Sequence, residues 1–428
     1  MSAADPMPMP YGGRDVPHVV IEVNQKCNIS CAACYKDKSS YTKPLAQVLE
    51  EIDQAARERN LSMVSLAGGE PSLHPQLEQI IAHAAGKGLT VQMLSNGYSL
   101  TEEQLRRYEA AGLHKVYLHI DAHQRRPDAR GVTSERDLDP LREEIAARVR
   151  RAGLHCALSL TLYRDRLEEV TDVVSFVLGS PAYDRLLVTC CTDFQAIARA
   201  FGRTAAVPEQ SGHGELDGQS VTNAQVEALL RDRLGMVPFG AIGSSKDENA
   251  RRWILYMSFV IHFPDGSWRP LHVGPRIRRL VEAAYAAAHR RTGRYPFGNV
   301  MSSGRAAATC LLYAATSGSP RIMAETAAFL ARLARKGAVL RQKCFVFQQG
   351  PSVTADGDIE WCKDCPDATV RDGRLVHVCM ADFMTPLGTG VEPAASPLPL
   401  QPLGSAGLAP ARGRALPRAE QLPAHAGA

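Results

Sequence analysis

A chain of 428 residues with 45% hydrophobic side chains can bury a large core, and its length favours two or three domains. Its 49 Lys and Arg stand against 45 Asp and Glu, a net charge of +4 without the basic excess of a nucleic-acid binder. The apolar runs, such as AAATCLLYAA, reach about ten residues, too few to span a bilayer, and the N-terminus lacks the basic and apolar regions of a secretory signal. A cytoplasmic protein is expected, its eleven cysteines held as thiols or metal ligands rather than disulfides.

Residues 1–16 read as an N-terminal extension, and residues 17–235 alternate β-like and helix-like runs. HVVIEV predicts a strand, PLAQVLEEIDQAARERN a helix, SMVSLA a strand, and HPQLEQIIAHAAGKG a helix with Leu77, Ile80, Ile81 and Ala84 on one face. TVQMLS, KVYLHI, HCALSLTLY and RLLVTC continue the strands, separated by helices over TEEQLRRYEAAG, REEIAARVRRAG and RLEEVTDVVSFVL. Thr101 caps the first of these helices and Gly112 ends it. Six such units with nearly continuous apolar strands imply an α/β fold, a parallel sheet curled into a full or partial barrel.

The pattern then changes. Residues 192–220 are polar and Gly-rich and read as an insertion, while NAQVEALLRDRLG predicts a helix that closes the barrel. Residues 236–340 form a substrate-side region. It opens with a hairpin over 253–273 turning at Pro264, Asp265 and Gly266, and two helices follow. The second begins at Ser319 and Pro320, stops at Gly337, and carries Ile322, Thr326, Phe329, Leu330 and Leu333 on one stripe. Residues 341–384 carry four cysteines, and residues 385–428, dense in Pro, Ala and Gly, predict a disordered tail.

The chemistry concentrates in CNISCAACY, where Cys27, Cys31 and Cys34 follow the first strand at C-x3-C-x2-C spacing. A structural zinc site normally takes four protein ligands, and the nearest histidine, His18, lies upstream on the strand. A [4Fe–4S] cluster on three thiolates keeps one iron open. Three packed thiols would not need this crowding in a loop beside Asn28, Ser30 and Lys36.

This stretch resembles the signature of the radical S-adenosylmethionine (SAM) superfamily, and further marks follow in that family's order. They are AGGEP (Ala67 to Pro71) after the second strand, LSNG (Leu94 to Gly97) after the third, LHIDAH with Asp121 after the fourth, and SLTLY near the end of the fifth. Alone, GGEP is a tight turn. At the C-terminal ends of successive strands, these residues face one rim, where barrel enzymes build their sites. The resemblance implies a partial (β/α)6 barrel of radical SAM type with a smaller C-terminal α+β module. It implies that Cys27, Cys31 and Cys34 ligate the first [4Fe–4S] cluster. SAM would be bound by Gly68, Gly69, Glu70, Pro71, Ser95, Asn96 and Asp121 (through its ribose), with Tyr35 near the adenine. Reductive cleavage of SAM would then give a 5′-deoxyadenosyl radical aimed at a substrate C–H bond, with flavodoxin or ferredoxin as reductant. His119 stands where the family more often has Ser. It shares a strand face with Asp121 and is either a packed histidine or a candidate for proton transfer.

Cys344, Cys362, Cys365 and Cys379 show two spacings, C-x12-G-x4-C with Gly357 in the turn, and C-x2-C-x13-C. Two hairpins would bring the four thiols to one centre. These spacings resemble the SPASM and twitch modules and the C-terminal cluster of the molybdopterin-pathway GTP cyclase. They imply one auxiliary [4Fe–4S] cluster and so two clusters in all. A four-cysteine zinc ribbon is the alternative. Cys156, Cys190, Cys191 and Cys310 read as packed small hydrophobes.

Arg276, Arg278, Arg279, Arg290, Arg291 and Arg294 suit either an anion or a solvated helix face. The short stretch before residue 17 leaves no room for a peptide-recognition domain there. This favours a small-molecule or lipid-like intermediate as substrate, with a peptide maturase as the alternative and a non-catalytic metal scaffold as the reading from another class.

Overall fold

The β-branched runs form strands in the computed structural model, which describes residues 5–36, 39–201, 218–247 and 250–384. The expected tail at 385–428, and residues 202–217 of the insertion, lie outside the described residues. The six expected strands and the five helices between them are present: β1 (His18–Asn24), α1 (Leu45–Glu58), β2 (Met63–Gly68), α2 (Leu77–Gly86), β3 (Thr90–Ser95), α3 (Glu102–Ala110), β4 (Leu113–His119), α4 (Asp139–Arg151), β5 (His155–Leu162), α5 (Val170–Gly179) and β6 (Tyr183–Cys190). Strands β1 to β6 pair in parallel in chain order. Every strand therefore ends at the same rim.

Side chains divide by the two-residue period. Val19, Ile21 and Val23 of β1, Val116 and Leu118 of β4, and Leu186 and Val188 of β6 enter the core beneath the helices. Glu22, Tyr117, His119 and Arg185 alternate with them and face the other, concave side. Thr101 and Gln104 form a capping box that starts α3.

Asp193 caps α6 (Phe194–Ala200), a short helix inside the segment read as an insertion. A Thr222–Gln225 capping box opens α7 (Asn223–Leu234) and left-handed Gly235 ends it. Strands β7 (Gly240–Gly243), β8 (Arg251–His262) and β9 (Trp268–Val273) follow, and β8 and β9 make the expected antiparallel hairpin. Three helices then appear rather than two: α8 (Arg278–Thr292), α9 (Ser303–Thr316) and α10 (Pro320–Ala331). The first buries Val281 and little else, so it has propensity without an apolar stripe to announce it. Ser319 caps α10 as expected, but the helix stops at Ala331 and a 3-10 turn covers Arg332–Ala334.

The largest departure is β10 (Val339–Gln349), which pairs in parallel with β6 and antiparallel with β8. It extends the barrel sheet, so the boundary expected at residue 341 falls inside a strand of that sheet. A strand pairing across some 150 residues leaves no mark in local periodicity. Beyond it, the hairpin of β11 (Ala368–Arg371) and β12 (Arg374–His377) is followed by α11 (Ala381–Met384). Among the described residues no helix is long and apolar enough to cross a membrane.

Candidate active site

Strands β1, β2 and β3 end in loops that are locked together. Gly68 has φ +134°, and a Cβ there would stand 2.2 Å from the Asn24 carbonyl oxygen. A Cβ on Gly69 would stand 2.2 Å from the Lys26 carbonyl oxygen. Only glycine allows this approach, and the contact is used: Gly69 N donates to Asn24 O at 3.0 Å and Glu70 N to Lys26 O at 2.8 Å. The glycine pair thus fixes the backbone that leads into Cys27.

Glu70 is buried, and its carboxylate is fully occupied. Its Oε1 accepts from Ser72 N (3.1 Å), Ser72 Oγ (2.6 Å) and Ser95 Oγ (2.8 Å), and its Oε2 accepts from Asn96 N at 2.8 Å. Burial pushes this carboxyl up, against those donors. Glu70 therefore pegs the second rim loop to the third and leaves ligand contacts to the backbone. Pro71 starts the buried turn that follows. Asn96 in turn donates to Asn28 Oδ1 at 2.8 Å and lies 3.7 Å from Cys27 Sγ. It ties the third loop to the cysteine loop.

The cysteine loop also rests on the far side of the barrel. Ser30–Cys31 pairs with Gln124–Arg125, and Ala33 N donates to the Tyr163 hydroxyl at 3.0 Å. The His123 ring stacks on Tyr163 at 4.0 Å. Asp121, buried at the end of β4, accepts from His123 N (3.0 Å) and Thr161 N (3.3 Å) and lies 3.2 Å from His119 Nε2. Burial alone would raise its pKa, but His119 and the two amides outweigh that and hold it low. His119 also meets Ser159 Oγ at 3.2 Å, so it is fixed on the concave face rather than packed into the core. Tyr35 turns towards Phe194, Ile359, Met380 and Phe383, beneath the C-terminal segment.

Residues not singled out from sequence hold that segment. Glu22, Lys36, Arg371 and Asp382 are all buried and form a closed ring of alternating charge. Lys36 lies 2.6 Å from both Glu22 and Asp382, Arg371 lies 3.0 Å from Asp382, and Arg371 also pairs with Glu22. Burial would raise Glu22, but Lys36 and Arg371 outweigh it and bring its carboxyl down to about 2. The signal in the sequence was a glutamate in the middle of HVVIEV, where a strand buried on both faces has no reason to carry charge.

The auxiliary cysteines divide. The Cys362 and Cys365 thiols are hydrogen-bonded, and Cys379 lies near Cys365. Cys362 Sγ is 4.0 Å from Gln349 O, at the end of β10. Cys344 sits five residues earlier on that strand, about 16 Å away at the rise of an extended chain, beside Arg185, Asp184 and Lys115. The structure pairs Cys362 with Cys365, leaves Cys379 nearby in a neighbouring apolar cluster, and sets Cys344 apart. Burial pushes the Cys190, Cys191 and Cys310 thiols up to about 12, as suits packed neutral groups.

Among the described residues no three His, Cys, Asp or Glu side chains are gathered tightly enough to hold a metal ion. The fit of a cluster is therefore judged on the donor set. The donor set suits one: Cys27, Cys31 and Cys34 are part-accessible cysteines outside any disulfide, on one loop whose course Gly68 and Gly69 fix.

Residues 21–177 match the family model of the Radical SAM superfamily. The chain carries a radical SAM domain. The superfamily works with a [4Fe–4S] cluster and SAM, and the motif residues expected for both stand at one rim. Among curated proteins, the chain is similar to PqqA peptide cyclase of Xanthomonas oryzae pv. oryzae, 29% identical over 169 residues, covering 37% of this chain and 44% of that protein. It is similar to PqqA peptide cyclase of Methylocella silvestris at 26% over 166 residues, covering 38% and 44%. It spans less than half the length of these relatives. Among solved structures, Streptococcus suis SuiB bound to precursor peptide SuiA aligns at a TM-score of 0.34 and 15% identity, covering 42% of this chain and 40% of that one. That overlay is too loose to define a shared arrangement.

Proposed function

We propose that this protein is a radical SAM enzyme that modifies a peptide. The observation that carries the enzyme reading is the locked rim, where a glycine cradle, Glu70, Asn96 and Asp121 converge on a loop with three part-accessible thiols. The peptide reading is supported by the relatives that align with the domain, which are by name peptide cyclases. It replaces the small-molecule substrate expected from the short N-terminal stretch, since the aligned domain says more about chemistry than the room before it does.

Cys27, Cys31 and Cys34 would hold a [4Fe–4S] cluster. The cluster and SAM, when bound, supply a one-electron reductive cleavage that yields a radical able to take hydrogen from a C–H bond. The chain's own residues do the rest. Gly68 and Gly69 let the second rim loop lie against Asn24 and Lys26, and so hold the cysteine loop in place beside the cofactor. Asp121, buried and kept ionised by His119 and two amides, would accept from a ligand hydroxyl by exchanging one of these donors for it. His119 orients that carboxylate. Cys362, Cys365 and Cys379 would hold a second cluster, and flavodoxin or ferredoxin would supply electrons.

The test uses anaerobically reconstituted protein, dithionite and SAM, with peptides encoded beside its gene, each deuterated. Formation of 5′-deoxyadenosine carrying deuterium from a peptide is the expected result. Absence of 5′-deoxyadenosine above a no-protein control would reject the enzyme reading. Deuterium arriving only from a small molecule would reject the peptide.

A further inference from the structure

Arg185 is the outlier of the concave face. Leu186 beside it enters the helix-covered core, so the two-residue period turns Arg185 inward, between Ala157 of β5 and Cys344 of β10. Its neighbours are Tyr117, Cys344, Asp184 and Tyr285. Its Nε is buried without a partner, and among the described residues no side chain or carbonyl accepts a hydrogen bond from its guanidinium. An unpartnered Nε is shared with Arg59 and Arg142, but their terminal nitrogens are satisfied, Arg59 by three carbonyls and Arg142 by Glu135, whereas those of Arg185 are not.

The charge is not compensated either. Asp184 is the one carboxylate beside it, and that carboxylate is already shared by Lys115 at 2.9 Å and His155 at 3.2 Å. Tyr117 and Cys344 are neutral near pH 7, because burial pushes both upward. A cation left in this state inside a protein is costly unless something arrives to meet it. Arg185, Leu187, Thr189 and Cys344 also keep part of their surface accessible, although they line the inside of the sheet.

We infer that Arg185 is a specificity residue that receives a carboxylate of the substrate inside the barrel. With Arg185 and Lys115 set against Asp184, the site carries one net positive charge, which suits a carboxylate better than a doubly charged phosphate. The strand register sets the reach. Arg185 lies four residues below Thr189, which pairs with Thr161 at the level of Asp121. That span is about 13 Å, the length of roughly four extended residues. A peptide anchored at Arg185 would thus extend past His119 to the rim. This inference rests on the peptide reading above and narrows it to a segment bearing an acidic side chain or a free C-terminus.

Three probe peptides separate the sources. One is an N-acetylated, C-amidated tripeptide with central glutamate, the second has glutamine in its place, and the third is the glutamine peptide with a free C-terminal carboxylate. Saturation-transfer NMR on the reconstituted full chain reads their affinities without any turnover, so the result is independent of whether SAM is cleaved. At least one carboxylate peptide should bind about tenfold more tightly than the neutral one, and Arg185→Gln should abolish that preference. Which acid binds tells side chain from C-terminus. Should Arg185→Gln fail to fold, phenylglyoxal labelling of the wild-type protein serves, with Arg185 protected by the acidic peptide and not by the neutral one. Equal affinity for acid and amide, a preference surviving Arg185→Gln, or labelling that ignores the acid would each overturn the inference.

Discussion

The two cysteine regions are built in opposite ways. Cys27, Cys31 and Cys34 lie on one loop whose course is dictated nearby, by the glycine pair, by Glu70 and by Asn96. Cys362, Cys365 and Cys379 lie on a segment with little regular structure of its own, held in place by distant partners. Arg59 donates to Cys365 O at 3.1 Å and Pro366 O at 3.2 Å, Asp367 meets His18 at 3.0 Å, and the charge ring joins Arg371 and Asp382 to Glu22 and Lys36. The first region is a local motif resting on strand ends. The second exists only once the barrel has formed. Since Lys36 lies two residues beyond Cys34, the same ring ties the one region to the other.

The sharpest way to separate them is Gly69→Ala. Its new Cβ would collide with backbone, not with a flexible side chain. It should therefore cost about 3 kcal/mol or more locally, remove the iron of the first region, and abolish 5′-deoxyadenosine formation, while iron at the second region stays. Iron and sulfide analysis beside the Cys27/Cys31/Cys34→Ala variant checks this. Loss of both portions of iron would show that the regions are not independent.

Asp382→Asn breaks the ring and should act on both. An unpaired buried charge costs roughly 3–5 kcal/mol, read as a lower urea midpoint. The ring also predicts a pH dependence. Glu22 is depressed in the folded protein to about 2, so its contribution is full above the ordinary carboxylate range and is lost as pH falls from about 4.5 towards 2. Stability should drop across that window in the wild type and less steeply in Glu22→Gln, measured by urea unfolding at several pH values.

A smaller effect is expected at the rim itself. Asp121→Asn keeps the shape but removes the charge, and should weaken SAM binding by about ten- to a hundredfold, as fits the loss of roughly 1.5–3 kcal/mol from a charge-assisted hydrogen bond. Equilibrium binding of SAM to the reconstituted protein measures it. The smallest effect should come from Cys344→Ser. With Cys344 about 16 Å along β10 from the residue that touches Cys362, iron content and the electron paramagnetic resonance spectrum of the second region should not change. A lost cluster would place Cys344 back among the ligands.

Much of the barrel was legible in the sequence, because alternation within a strand, a capping box and a C-x3-C-x2-C loop are properties of neighbouring residues. The six strands and the helices between them, the Thr101 cap, the Ser319–Pro320 helix start and the convergence of Gly68 to Pro71, Ser95, Asn96 and Asp121 on one rim all follow from short-range rules applied to parallel strands. What the sequence could not decide is which distant segments meet. The C-x12-G-x4-C spacing counts residues along the chain, but β10 is extended and paired to β6, so it carries Cys344 into the barrel wall and away from Cys362. The ring of Glu22, Lys36, Arg371 and Asp382, and the unmet charge of Arg185, likewise arise only when strands hundreds of residues apart in sequence come into register. Local spacing fixes the shape of a loop, whereas the partner of a buried charge is chosen by the packed tertiary structure.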